Sequence, residues 1–342
     1  MATLTAISDV TAAAERAGGS AAALAVRRPE WIVQAFLVYA PVLAFLLGRS
    51  PALGMQLAAL NLAAILAYDA LIYFDSLKPN KVLRALRDWV PLGMVLLAYR
   101  EMGRFALPHT AYPLESRWVV WDRLFLNGGG RAAIEFLGPV WPSVLEIAYA
   151  LVYTLAPLAL AALYLYGRRS QIDRFLTVFV LGVLLCYVQF PFWPSEPPRT
   201  VFSGQDLPTY ITIFRRFNLW MLGNYGIHTS VFPSAHVAGA LSVAYGMRQA
   251  IPERKWLYRA LFVIAALIAL ATVYGRYHYL ADATYGAVVA TFAAALVNRL
   301  HQSGQSGSRA SASETAAWSA SFPSAPPRRS VPLTVPLRPA TP

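Results

Sequence analysis

The stretch LYRALFVIAALIALATVYGRYHYLADATYGAVVATFAAALVNR, residues 257–299, holds two long apolar runs on either side of Arg276, His278 and Asp282. A helix needs roughly 20 apolar residues to cross ~30 Å of hydrocarbon. Segments 257–275 and 279–299 therefore read as two spans of opposite direction, joined by a polar hinge. Working outward, the same apolar pattern recurs at 31–48, 52–74, 88–102, 144–166, 174–193 and 232–249. The expected fold is an all-α integral membrane protein, a bundle of about eight transmembrane helices. The third run is short. The sixth is rich in small residues (Ala235, Ala238, Gly239, Ala240, Ser242, Ala244), which suits close packing at the centre of a bundle.

Composition agrees with a membrane. The chain has 342 residues, of which 57% are hydrophobic and 13% charged, against about 25% charged in soluble domains. The net charge of +12 could suggest nucleic acid, but the basic residues sit in short runs such as Lys78, Lys81, Arg84 and Arg87 between apolar segments. That is the pattern of loops on one membrane face, so no nucleic-acid partner is expected. The single cysteine, Cys186, lies in an apolar run and reads as a small hydrophobe. Glu15, Arg16, Arg27 and Arg28 interrupt any signal-peptide core, so the run from Trp31 reads as a retained anchor.

Orientation follows from Lys and Arg bias. With the N-terminus in the cytoplasm, inside segments hold 19 of the 29 basic residues. N-in, C-in is the expected topology, in a bacterial inner membrane. The expected organisation is a cytoplasmic segment 1–30, two extra helices in 31–75, a catalytic membrane domain over 88–299, and a disordered Ser/Ala/Pro-rich cytoplasmic tail over 303–342.

Three polar clusters then fall on the same outer face. They are Pro194-Ser195-Glu196-Pro197-Pro198-Arg199, Phe232-Pro233-Ser234-Ala235-His236, and the segment from Tyr274 to Asp282, with Arg276 and His278 inside it. Ionisable groups near membrane depth are functional candidates by default. His278 and Asp282 stand four apart, on one face of a helix beginning there. A carboxylate behind an imidazole fixes its tautomer and stabilises the cation formed as the other nitrogen attacks. His236 could protonate a leaving oxygen. Ser234 and the amides of a helix start can donate to an anion, and Arg199 and Arg276 carry donors suited to phosphate. Ser234 could equally be a plain helix cap. Together these residues form a metal-free phosphoryl-transfer set. No cofactor is expected, because no carboxylate or histidine cluster has metal-ligand spacing.

These residues resemble the type-2 phosphatidic acid phosphatase superfamily of lipid phosphatases and phosphotransferases. Its motifs are K-x6-R-P, P-S-G-H and S-R-x5-H-x3-D. Pro233-Ser234-Ala235-His236 is similar to the second with Ala for Gly, and His278-x3-Asp282 matches the end of the third. The resemblance implies a six-helix lipid-phosphatase-like core, with His278 as a nucleophile forming a phosphohistidine, Asp282 orienting it and His236 as general acid. The chain also departs from the pattern. Phe192 stands where the first motif has its lysine, two prolines precede Arg199, and Arg276 is two residues before His278 rather than six. The His278-Tyr-x-x-Asp282 form and Asp122-Arg123-Leu124-Phe125 are similar to the inositol phosphorylceramide synthase branch.

The implied substrate is a lipid phosphate, taken laterally from the bilayer at an extracytoplasmic site. Either water or a lipid alcohol accepts the phosphoryl group, giving a phosphatase or a phosphotransferase; the motifs do not separate them. A non-catalytic lipid-phosphate receptor or transporter would carry charges along several spans, whereas here they gather at one face. Glu146, Tyr149 and Tyr153 form one stripe of the fourth run, with Glu146 read first as a buried ion pair or interface anchor, and otherwise as a contact to a head group or to Arg199. Asp122 and Arg123 are read as braces of the loop and left out of the catalytic set, and Gly128-Gly129-Gly130 as a loop hinge.

Overall fold

A computed structural model of the chain describes residues 26–105, 112–227 and 230–320, with side chains through Ser303. Expectations for residues 1–25 and 321–342 lie outside the described residues. Every regular element among the described residues is helical. In order they are α1 (Arg28–Leu46), α2 (Pro51–Leu77), α3 (Lys81–Met102), α4 (Pro113–Phe125), α5 (Arg131–Glu135), α6 (Val140–Leu165), α7 (Ile172–Tyr187), α8 (Pro198–Val201), α9 (Ile213–Tyr225), α10 (Ala235–Ala250), α11 (Lys255–Tyr274) and α12 (Leu280–Ala320).

Six helices among the described residues are long and apolar enough to cross a membrane: α1, α2, α6, α7 with its flanking turns, α11, and α12 over Leu280–Ser303. The other two expected spans are present as helices but fall short of that standard, for different reasons. The third run extends backwards into a helix of 22 residues, and its first turns carry Lys81, Arg84, Arg87 and Asp88. The sixth is only 16 residues long, because Pro233 and the cap Ser234 fix its start at Ala235. A helix is also described through Ala320, beyond the Ser303 at which the sequence reading places the tail. No proline occurs between 303 and 320 to break it.

Helix α10 packs against α6, α7 and α11. Its small residues make that possible: a β-carbon on Gly246 would stand 2.9 Å from the Phe175 ring, and one on Gly182 of α7 would collide with Ser242. Close approach of backbones is how helices associate where lipid removes the hydrophobic drive. The expectation of a buried central helix is met. Helix α1 lies against α7 and α3, and α2 against α1 and α3, so the first two helices are part of the bundle.

The end of the bundle where α1, α3 and α7 begin is fastened by ion pairs built around the buried Glu30, Asp75, Arg87 and Asp88. Arg27 donates to Glu30 at 2.6 Å, Asp88 at 2.5 Å and Asp173 at 2.9 Å. Arg87 donates to Glu30 at 2.6 and 2.8 Å and to Asp75 at 3.2 Å. Asp88 also accepts from Tyr164 at 2.5 Å and Arg169 at 3.2 Å. Buried charges are tolerated when paired and hydrogen-bonded in this way.

Candidate active site

At the opposite end, α7 finishes, α10 and α12 begin, and α11 hands over to α12 through Gly275–Tyr279. The three polar clusters meet there, tied by backbone. Arg199 N donates to Arg276 O at 3.2 Å, and Ser234 N donates to Asp282 O at 3.0 Å. Gly286 makes room for the second contact, since a β-carbon there would lie 2.4 Å from the Ser234 carbonyl oxygen.

His278 sits in the loop before α12, with Asp282 in the first turn of that helix. His278 Nδ1 is 3.3 Å from Asp282 Oδ2. The same oxygen accepts from Tyr279 N at 2.9 Å, which holds the carboxylate in place. The ring's other nitrogen, Nε2, is 3.3 Å from His236 Nδ1. His236 is the second residue of α10, and its Nε2 lies 3.4 Å from the Tyr149 hydroxyl and 3.5 Å from that of Tyr153. The order Asp282, His278, His236, Tyr149 is thus a continuous polar chain. Burial, and then the Arg199 guanidinium, push the His278 imidazole down to about 3, which favours its neutral, nucleophilic form.

The two arginines differ. Arg199, at the start of the short α8, makes no ion pair among the described residues; it lies over the Tyr277 ring at 5.6 Å and reaches the Tyr277 carbonyl at 3.5 Å. Arg276 has φ 60°, is fully buried, and pairs with Asp122 of α4 at 2.5 Å. Its Nε and Nη2 have no partner among the described residues. Ser234 is the fully buried cap of α10, its hydroxyl accepting from Val237 N at 3.4 Å.

Two braces fix the His278 loop. Asp122 holds Arg276 with one oxygen and accepts from Leu280 N at 2.8 Å with the other. Glu146 of α6 accepts from Tyr277 Oη at 2.6 Å, Arg215 at 3.0 Å and Asn218 at 2.7 Å. Arg215 in turn donates to the Gly275 carbonyl at 3.1 Å. The stripe of Glu146, Tyr149 and Tyr153 therefore does face the site, but Glu146 pairs with Arg215, not Arg199. Sequence reasoning missed Arg215 and Asn218 altogether. Their spacing on α9 gave a weak signal, since two polar residues three apart share one face of a helix whose other side carries Ile213, Phe217 and Trp220.

In comparison with known proteins, the family model described as the PAP2 superfamily matches residues 136–296, from just before α6 into α12, and supports the resemblance at that level. No curated protein and no solved structure matches the chain.

Proposed function

We propose that this chain is a membrane-embedded lipid phosphate phosphatase working through a phosphohistidine on His278. The observation that carries the reading is the braced imidazole: Asp282 on one nitrogen, His236 facing the other, and Arg199 beside it without a carboxylate partner among the described residues. α3 and α10 cross the membrane with the six more apolar helices, giving eight spans with both termini cytoplasmic and the site extracytoplasmic.

The ring-to-ring contact of 3.3 Å leaves no room for a phosphoryl group, so substrate binding must part His278 from His236. The incoming phosphate's charge favours a protonated His236. His278 Nε2 attacks phosphorus, the bond to the leaving oxygen breaks, and that oxygen takes the proton from His236 Nδ1. Asp282 stabilises the cationic ring through Nδ1. Arg199 and Ser234 hold the equatorial oxygens, where phosphoryl transfer needs its main stabilisation. Arg276, joined to Asp122, presents its remaining Nε and Nη2 donors from behind the loop. Water then gives a proton to His236 and attacks phosphorus, the N–P bond breaks, and His278 is restored. No step calls on a metal or cofactor.

The alcohol-accepting reading is favoured by the Tyr279 that follows His278 and the prolines before Arg199, as in the transferase branch the sequence resembles. Product analysis tests both. Purified protein is given a radiolabelled lipid phosphate with and without lipid alcohols, with EDTA present and His278→Ala as control. Free phosphate lost in the control supports the phosphatase. A new phospholipid appearing only with an alcohol replaces it by the transferase. Lipid transbilayer movement with neither product would leave the receptor or transporter reading.

A further inference from the structure

Helices α4 and α9 are inside out compared with helices that face water. On α4 the residues turned to the protein are Glu115, Val119 and Asp122, all buried. Its outward side carries Val120, Trp121 and Leu124, with Trp121 57% exposed. On α9 the buried residues are Arg215 and Asn218, both bound to Glu146. Outward stand Ile213, Phe214, Phe217 and Trp220, with Trp220 53% exposed. A water-facing helix places its polar stripe outward. Here the polar stripe is consumed by the bundle and the apolar one is left without protein cover.

We propose that α4 and α9 lie within the lipid leaflet at the site end, their aromatic faces against acyl chains and glycerol. This rests on the reading of the chain as membrane-spanning and not on its catalytic assignment. Three observations select lipid as the covering partner. The apolar faces belong to the same end of the bundle as the outward surfaces at the starts of α6 and α12, where Ile147 and Tyr285 are also exposed. Each outward stripe includes one exposed basic residue, Arg117 on α4 and Arg216 on α9, as in interfacial helices that reach lipid phosphates. The inward faces of both helices brace the His278 loop, through Asp122 and Glu146, so leaflet and candidate site sit at one depth. The two helices thus form a collar that keeps the site at head-group level.

The test is spin-label accessibility of the full chain in phospholipid nanodiscs. Single labels are placed at Trp121→Cys and Trp220→Cys, the native Cys186 being fully buried and so unlabelled. Leu158→Cys serves as the lipid-exposed reference and Ser203→Cys as the water-exposed one. Labels at both collar positions are expected to collide with oxygen as at Leu158 and with a soluble nickel chelate several-fold less than at Ser203. Nickel collision equal to that at Ser203 overturns the proposal. Low collision with both reagents together with spin–spin broadening also overturns it, in favour of a second copy covering the face. Nickel access at Leu158 would overturn the membrane reading itself. The readout needs no activity, so it is independent of the phosphatase assignment.

Discussion

Both ends of the bundle bury charge, and they dispose of it differently. At the end formed by the starts of α1, α3 and α7, Arg27, Arg87 and Arg169 are met by Glu30, Asp75, Asp88 and Asp173. At the other end Arg199 has no carboxylate among the described residues, and two imidazoles face each other beside it. Compensated charge holds helices together; charge left uncompensated marks a candidate site for a counter-charge. The site end also contains compensated pairs, Asp122 with Arg276 and Glu146 with Arg215, and these are the ones that fix the loop.

The comparison can be broken by moving a function from one class to the other. His278→Ala should lower turnover by ~10³-fold or more, about 4 kcal/mol of transition-state stabilisation, with the thermal midpoint in detergent unchanged. Glu30→Ala should do the reverse. It removes the fully buried carboxylate that Arg27 and Arg87 share, leaving Arg27 with Asp88 and Asp173 and Arg87 with Asp75. About 3 kcal/mol of stability should be lost, while turnover of the protein that remains folded stays within about twofold. Equal loss of activity and stability in either variant would erase the distinction.

Arg199→Gln should reduce kcat/KM by ~10²-fold without destabilising the protein, as for removal of one donor from a charged transition state. Asp122→Asn, by contrast, should lower both activity and thermal midpoint, because its target is a buried pair. Steady-state kinetics beside thermal melts separate the two. The pH profile sharpens the point. His278 is held low, at about 3, by burial and then by Arg199. Its neutral form therefore persists well below the ordinary histidine range, and is lost only as pH falls past that value. Removing the Arg199 charge should move the acidic limb of kcat/KM upward, the substrate's own titration being common to both proteins. The smallest effect belongs to Tyr153→Phe. Loss of a 3.5 Å contact to His236 should cost only a few-fold in turnover.

The membrane bundle and the histidine pair were legible because each rests on short-range pattern. Apolar runs of spanning length reveal helices, and His278 and Asp282 meet through a single helical turn. The sixth run showed its central place through Gly239, Ser242 and its alanines. What lay beyond reach was pairing over long separations. Asp122 meets Arg276 across 154 residues, and Tyr277 meets Glu146 across 131, and nothing in either local sequence names its partner. Arg276 shows the consequence. Two residues before His278 it reads as a phosphate ligand, yet one edge of its guanidinium is held by Asp122. The start of α3 was missed for another reason: the apolar run was read from residue 88, because Lys81, Arg84 and the buried Arg87 in its first turns carry charge that a spanning pattern excludes.

The central claim is that His278 carries the phosphoryl group. Purified protein should be mixed with radiolabelled lipid phosphate, quenched in alkaline denaturant within one turnover, and digested for peptide mapping. The account predicts an alkali-stable, acid-labile label on the peptide containing His278, absent from His278→Ala. Phosphate release continuing in His278→Ala, or label on another residue, would contradict it.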